Sequence, residues 1–168
     1  MCPQHSEVPV CRIRVCLRAV SMILSGQRSF FELNILDYEH LPDNPSPADR
    51  NLLWVAVRSG WQHHQSTSTA AILHTYEVDA LLVWLRTLHA TGRPQSRLLF
   101  SEPCLSFECI SADADEFLLQ IKLAFEVAPD WHSDPHSPFW LPVIIPKRKL
   151  MEAIGQLADQ SLSFPVRH

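Results

Sequence analysis

Glycine is scarce in this chain. Only Gly26, Gly60, Gly92 and Gly155 occur in 168 residues, scattered along the sequence. They fit turns or a helix rather than a loop that cradles phosphate. Walker A, dinucleotide and Gly-x-Ser-x-Gly signatures are all missing. No run of about 18 uncharged apolar residues occurs, so no transmembrane helix is expected. Five cysteines make an odd set without a Cys-x-x-Cys pair. Cys11 and Cys16, like Cys104 and Cys109, stand five apart and face opposite sides of a strand, which disfavours joint ligation. Free thiols in a reducing compartment are the expectation, and no cofactor is.

What is there is the make-up of a folded protein of about one domain: 46% hydrophobic and 19% charged residues. Val10 to Leu24 is apolar but interrupted by Arg12, Arg14 and Arg18, so it does not read as a secretory signal. A cytoplasmic location is the default. Of 14 basic and 18 acidic residues, Arg12, Arg14, Arg18, Arg28 and Glu7 fall in the first 28. The remainder therefore holds 10 basic and 17 acidic side chains, a net of −7. Such a body repels nucleic acid and attracts basic partners.

Hydrophobic period separates strands from helices. Residues 10–19 alternate and read either as an extra edge strand or as part of an unstructured extension over 1–21. Alternation predicts strands over 29–36, 52–58, 64–73, 97–101, 104–111 and 116–128. In the last of these Phe117, Leu119, Ile121, Leu123, Phe125 and Val127 share one face. Asp113-Ala114-Asp115 is the expected turn before it. Residues 37–50 read as a Pro/Asp-rich loop. Val78, Leu81, Leu82, Leu85 and Leu88 recur at helical spacing, with His74 or Thr75 as cap and Gly92 as stop. Trp84 lies off that stripe and is expected to be partly exposed. Pro142 places the strand 139–145 at a sheet edge. Leu150, Ile154 and Leu157 give a final helix its stripe, with Pro146 in its first turn. Strand meanders segregated from helices define an α+β fold: a curved antiparallel β-sheet with two α-helices packed on one side, in one domain over 22–168. The polar stretch Gln65 to Thr69 leaves homodimerisation by strand pairing open.

Chemistry is harder to find. His132, Asp134 and His136 alternate in a loop and define the strongest candidate metal cluster, consistent with a metal-dependent hydrolase. Against it stands a polar loop that happens to hold two histidines. His63 and His64 with His74 are weaker, because adjacent histidines in a strand diverge. Cys104 or Cys109 with any of nine histidines makes a formal dyad, but no spacing selects one. Carboxylates cluster twice: Asp37, Glu39, Asp43 and Asp49 around the loop, and Asp113, Asp115 and Glu116 at the hairpin. Their plain reading is solubility. Their functional reading is a recognition surface for a basic protein partner. Trp54, Trp61, Trp84, Trp131 and Trp140 are many for this length, and tryptophan is enriched at binding hot spots.

A series of motifs runs in order: Leu36-Asp37-Tyr38-Glu39; Asp49-Arg50-Asn51-Leu52-Leu53-Trp54-Val55; Thr75-Tyr76-Glu77-Val78; Glu102-Pro103-Cys104-Leu105-Ser106-Phe107; Pro129-Asp130-Trp131; and Phe164-Pro165-Val166-Arg167. In this the chain resembles the WapI family of bacterial immunity proteins over about residues 22–168. Two leucines separate Asn51 from Trp54, looser than the usual pattern. The resemblance implies a small cytoplasmic α+β protein without enzymatic activity that binds and neutralises a toxin domain. It supplies no catalytic residues. A regulatory or scaffold domain with another cellular partner is the alternative, separable by whether a toxin gene lies next to this one.

Overall fold

The computed structural model describes residues 20–134 and 136–168. The expectations for 1–19, including the strand over 10–19, lie outside them. Among the described residues, eight strands form two four-stranded antiparallel sheets. The first sheet, in the order β1-β2-β3-β4, contains β1 (Met22–Ser25), β2 (Ser29–Tyr38), β3 (Leu52–Trp61) and β4 (His64–His74). The second, in the order β5-β6-β7-β8, contains β5 (Leu98–Leu99), β6 (Leu105–Ala112), β7 (Glu116–Leu123) and β8 (Phe139–Pro146). Between β2 and β3 lies a short helix α1 (Pro47–Arg50); α2 (Thr75–Thr91) follows β4, and α3 (Lys147–Ser163) follows β8. The α+β class and the antiparallel pairing hold. The strands are divided between two sheets because α2 carries the chain off β4, and the next strands pair among themselves. Pro142 does lie on an edge strand, opposite Gln120 of β7.

Each sheet buries alternate side chains on one face. Phe31, Leu33, Leu53, Val55 and Val57 come from the first, Phe107, Phe117, Leu119, Ile121 and Val143 from the second. These faces belong to one core with Leu81, Leu85 and Leu88 of α2 and Leu150, Ala153 and Leu157 of α3. Phe31 meets Phe107 edge to face at 5.4 Å between ring centres, a favoured geometry for aromatic pairs. Trp84 is 7% exposed, not partly exposed as its place off the leucine stripe suggested. It packs near Phe107 and its indole N–H donates to the Ser96 carbonyl, which satisfies the polar end of a buried ring.

Three boundaries correct the sequence reading. β1 is a strand of four residues paired with β2, too short to show a period. The Pro/Asp-rich loop contains α1, whose first turn is capped by the Ser46 hydroxyl accepting from the Asp49 N–H. β7 stops at Leu123, and Phe125–Val127 form a 3₁₀ turn. Phe125 has φ 52° and is 65% exposed, so the apparent alternation beyond Leu123 is not strand.

The edges are covered by side chains as well as by strands. Gln160 of α3 accepts from the Ile35 N–H and donates to the Leu33 carbonyl. Gln156, one turn earlier, accepts from the Ile23 N–H. Two amides at i, i+4 thus substitute for a strand along the β1–β2 edge.

Candidate partner-binding surface

The first acidic cluster surrounds the end of β2. Asp37 is exposed and its carboxylate accepts from the Tyr38 N–H. Glu39 is half-buried beside the β2–β3 crossing, where its N–H donates to the Leu52 carbonyl. Asp43 is exposed in the loop and Asp49 sits in α1. The segment 164–168 lies across this loop. The Arg167 guanidinium covers the Tyr38 ring at 3.3 Å and donates to the His40 carbonyl, while Arg50 donates to the His168 carbonyl. Two cations therefore stand among the four carboxylates.

The second cluster forms the β6–β7 turn. Asp113, Asp115 and Glu116 are all exposed. Asp113 accepts from the N–H groups of Asp115 and Glu116, and these donors hold its carboxyl below the usual aspartate range. The hairpin abuts the start of α3 through Lys147 N–H to the Asp115 carbonyl. Glu116 also lines a cleft of about 560 Å³ with Gly26, Arg28, Trp61, Ile144 and Lys149. Because Ser29, which lines the cleft with Glu116, begins β2 and Asp37–Tyr38 ends it, the two clusters lie toward opposite ends of this ten-residue strand, about 30 Å apart at the usual rise. The fold presents them as two patches.

At Gly26 the two sheets touch. A Cβ there would stand 2.4 Å from the Ile144 carbonyl oxygen, so only glycine permits the approach.

The motif residues meet in one polar knot. Asn51 is 5% exposed. Its amide nitrogen donates to the carbonyls of Pro47 and Arg167, both at 2.8 Å. Its amide oxygen accepts from the Thr75 hydroxyl at 3.0 Å and the Arg167 N–H at 2.8 Å. One turn into α2, Glu77 accepts from the N–H groups of His74 and Ser101, with the His74 ring nitrogen at 3.0 Å. Burial alone would raise the Glu77 pKa, but the Ser101 and His74 donors outweigh it and hold the carboxyl below its ordinary value.

The candidate metal loop is arranged otherwise. His132 points its Nε2 at the carbonyl and hydroxyl of Ser137 and packs against Phe139. Asp134 accepts from the His136 N–H, and this donor, followed by Ser137, lowers its pKa. Among the described residues, no three His, Cys, Asp or Glu side chains gather as a metal site. Cys104 and Cys109 are buried free thiols. Burial first, then the Glu126 carboxylate, pushes the Cys104 thiol up to about 12, which keeps it protonated and a poor nucleophile.

A third feature escapes the sequence. Trp54 is 38% exposed on the outer face of the first sheet. It stands opposite Asp37 on β2 and Ala71 on β4. A bulge interrupts each pairing at this level, with Leu36 the extra residue on one side and Ile72 on the other. Beside the indole runs a groove of about 250 Å³ lined by Thr69, Ala71, Ile72, Glu102 and Glu126. Trp54 was noticed for its residue type and, like Glu102, for its place in a motif, but nothing in the sequence brings the two together with Glu126.

Two packed antiparallel sheets, with α3 closing the β1–β2 edge and acidic patches on the surface, define an α+β protein. The chain belongs to the Immunity protein WapI-like family, whose model matches residues 22–165. Searches of curated proteins and of solved structures gave no match. Membership points to an immunity function and to a protein partner. No helix among the described residues is long and apolar enough to cross a membrane.

Proposed function

We propose that this chain is a non-enzymatic immunity protein that binds a toxin domain in the bacterial cytoplasm and blocks its active surface. The family match over residues 22–165 carries this reading. The acidic body supports it from another direction, because a basic toxin domain would be drawn to it by charge. Asp37, Glu39, Asp43 and Asp49, together with Asp113, Asp115 and Glu116, are the proposed contact residues, and no metal or cofactor takes part.

Co-expression with the toxin domain encoded beside this gene tests the reading. Capture of that domain together with restored growth is the expected result; failure of both overturns it. Charge reversal at Asp43 and Asp49 should slow association and flatten its salt dependence. An unchanged association rate would remove the loop from the contact surface.

A further inference from the structure

We propose that the groove beside Trp54 receives a basic side chain, an arginine or lysine carried on a loop of the toxin domain. This rests on the immunity reading and names the part of the surface where recognition is centred.

The geometry begins with the two bulges. Leu36 on β2 and Ile72 on β4 are inserted on either side of Trp54. Bulges bend a strand and redirect the side chains beside them. Ala71 opposite Trp54 is too small to cover the indole, and the groove runs along this uncovered flank. Its volume of about 250 Å³ falls below the roughly 300 Å³ at which small-molecule sites begin. It suits one inserted side chain rather than a free ligand.

Charge decides which side chain. Asp37 stands in register with Trp54, and Glu102 and Glu126 form the groove wall. Among the described residues none of these three makes an ion pair, whereas Glu32, Glu108 and Glu152 each pair with an arginine. Glu126 takes a hydrogen bond from the Cys104 thiol, which orients the carboxylate and leaves its charge uncancelled. An open indole face next to unpaired carboxylates is the environment that favours a guanidinium or ammonium group. The larger cleft at the other end of β2 lacks this uniformity, because Arg28 and Lys149 line it with Glu116.

Two measurements test the assignment. The first uses the toxin domain encoded beside the gene. Trp54→Ala and the pair Glu102→Gln/Glu126→Gln should each weaken binding at least tenfold. Glu152→Gln, at an exposed position of α3 outside every proposed contact, should change it less than twofold. Trp54 projects from the outer face, so melting curves of the first variants should match the parent. Tight binding by the parent with no loss in either groove variant would overturn the groove and leave the immunity reading standing. Failure of the parent to bind would overturn that reading for this toxin, and the groove would then be judged by the second measurement. Here acetyl-Gly-Arg-Gly-Arg-Gly-amide and its citrulline counterpart are titrated while the Trp54 indole N–H is followed by NMR, assigned by its loss in Trp54→Phe. The arginine peptide should shift the signal, with a response at least fivefold weaker in Glu102→Gln/Glu126→Gln and for citrulline. Equal responses to both peptides, or none, would overturn the proposal.

Discussion

The knot at Asn51 and the groove at Trp54 are three residues apart in sequence and opposite in character. Asn51 is 5% exposed and each of its amide atoms is used twice. Trp54 is 38% exposed, and the carboxylates around it make no ion pairs among the described residues. The knot joins α1, the start of α2 and the segment 164–168. It contains Asn51, Thr75 and Arg167, and Glu77 sits one turn away. These are the residues that made the sequence look like a member of its family. The comparison teaches that the same motifs supply two kinds of residue: Asn51, Thr75 and Arg167 are spent on holding the fold, while Asp37, Trp54 and Glu102 stay at the surface with their charge and aromatic face uncommitted. Satisfied polar groups specify structure; unpaired ones exposed on a rigid sheet are free to specify a partner.

The strongest way to break the contrast is at Asn51. Replacing it by alanine leaves the Pro47 and Arg167 carbonyls and the Arg167 N–H without their partner in a buried site. A loss of about 3 kcal/mol in unfolding free energy is expected, measured by urea denaturation. Asn51→Asp should cost nearly as much, because a carboxylate cannot donate to the two carbonyls. Toxin affinity of the fraction that stays folded should change little. A variant that keeps full stability would show that the knot is incidental; one that keeps stability but loses binding would move the contact surface onto it.

Glu77 and Glu126 sharpen the comparison, since each carboxyl is held below its ordinary pKa but by different means. For Glu77, burial is overcome by the donors of Ser101 and His74. A carboxylate with a depressed folded pKa stabilises the native state above its unfolded pKa, near 4.5. That contribution is lost as the pH falls through the lower folded value. The parent should therefore lose stability below about pH 4.5 more steeply than Glu77→Gln. At pH 7 the glutamine variant should be less stable by about 2 kcal/mol, because a neutral amide is a weaker acceptor for these N–H groups. Parallel pH profiles would show that Glu77 is not the group that titrates.

How much of this was legible in the sequence follows from range. Helix α2 was read from its leucines and ended correctly at Gly92, whose left-handed φ of 59° and N–H to the Leu88 carbonyl close the last turn. The core faces of β2 and β3 and the hairpin at Asp113 were equally local signals. The false extension of β7 arose because Phe125 and Val127 continue the alternation, and a positive φ at phenylalanine has no sequence mark. The division into two sheets depends on which strands pair, which periodicity does not encode. At the candidate site, Asp37 was picked out by charge, Trp54 by type, and both, with Glu102, as members of separate motifs. Their register, the bulges at Leu36 and Ile72, and the approach of Glu102 and Glu126 are products of the folded chain.

The smallest expected effect is at Glu126. It is exposed, and its depressed pKa comes first from the Cys104 thiol that donates to it at 3.0 Å. Glu126→Gln should change stability by less than about 0.5 kcal/mol, as for an ordinary surface substitution. Cys104 gives an independent readout of the same contact. With its thiol pushed up to about 12, only about one molecule in 10⁴ carries the thiolate at pH 8, and the thiolate is the reactive form. Peptide mapping after iodoacetamide treatment of the native protein should find Cys104 unmodified. Burial is the larger cause of the shift and Glu126 the smaller, so Glu126→Gln should raise the labelling rate by less than tenfold. A fast rate in the parent would mean that the thiol is neither buried nor donating. A large increase in the variant would make the carboxylate, rather than the packing of β6, the feature that shields it. If both measurements come out as expected, Glu126 has little structural work to do, and a loss of toxin binding in the groove variant then reports on recognition alone.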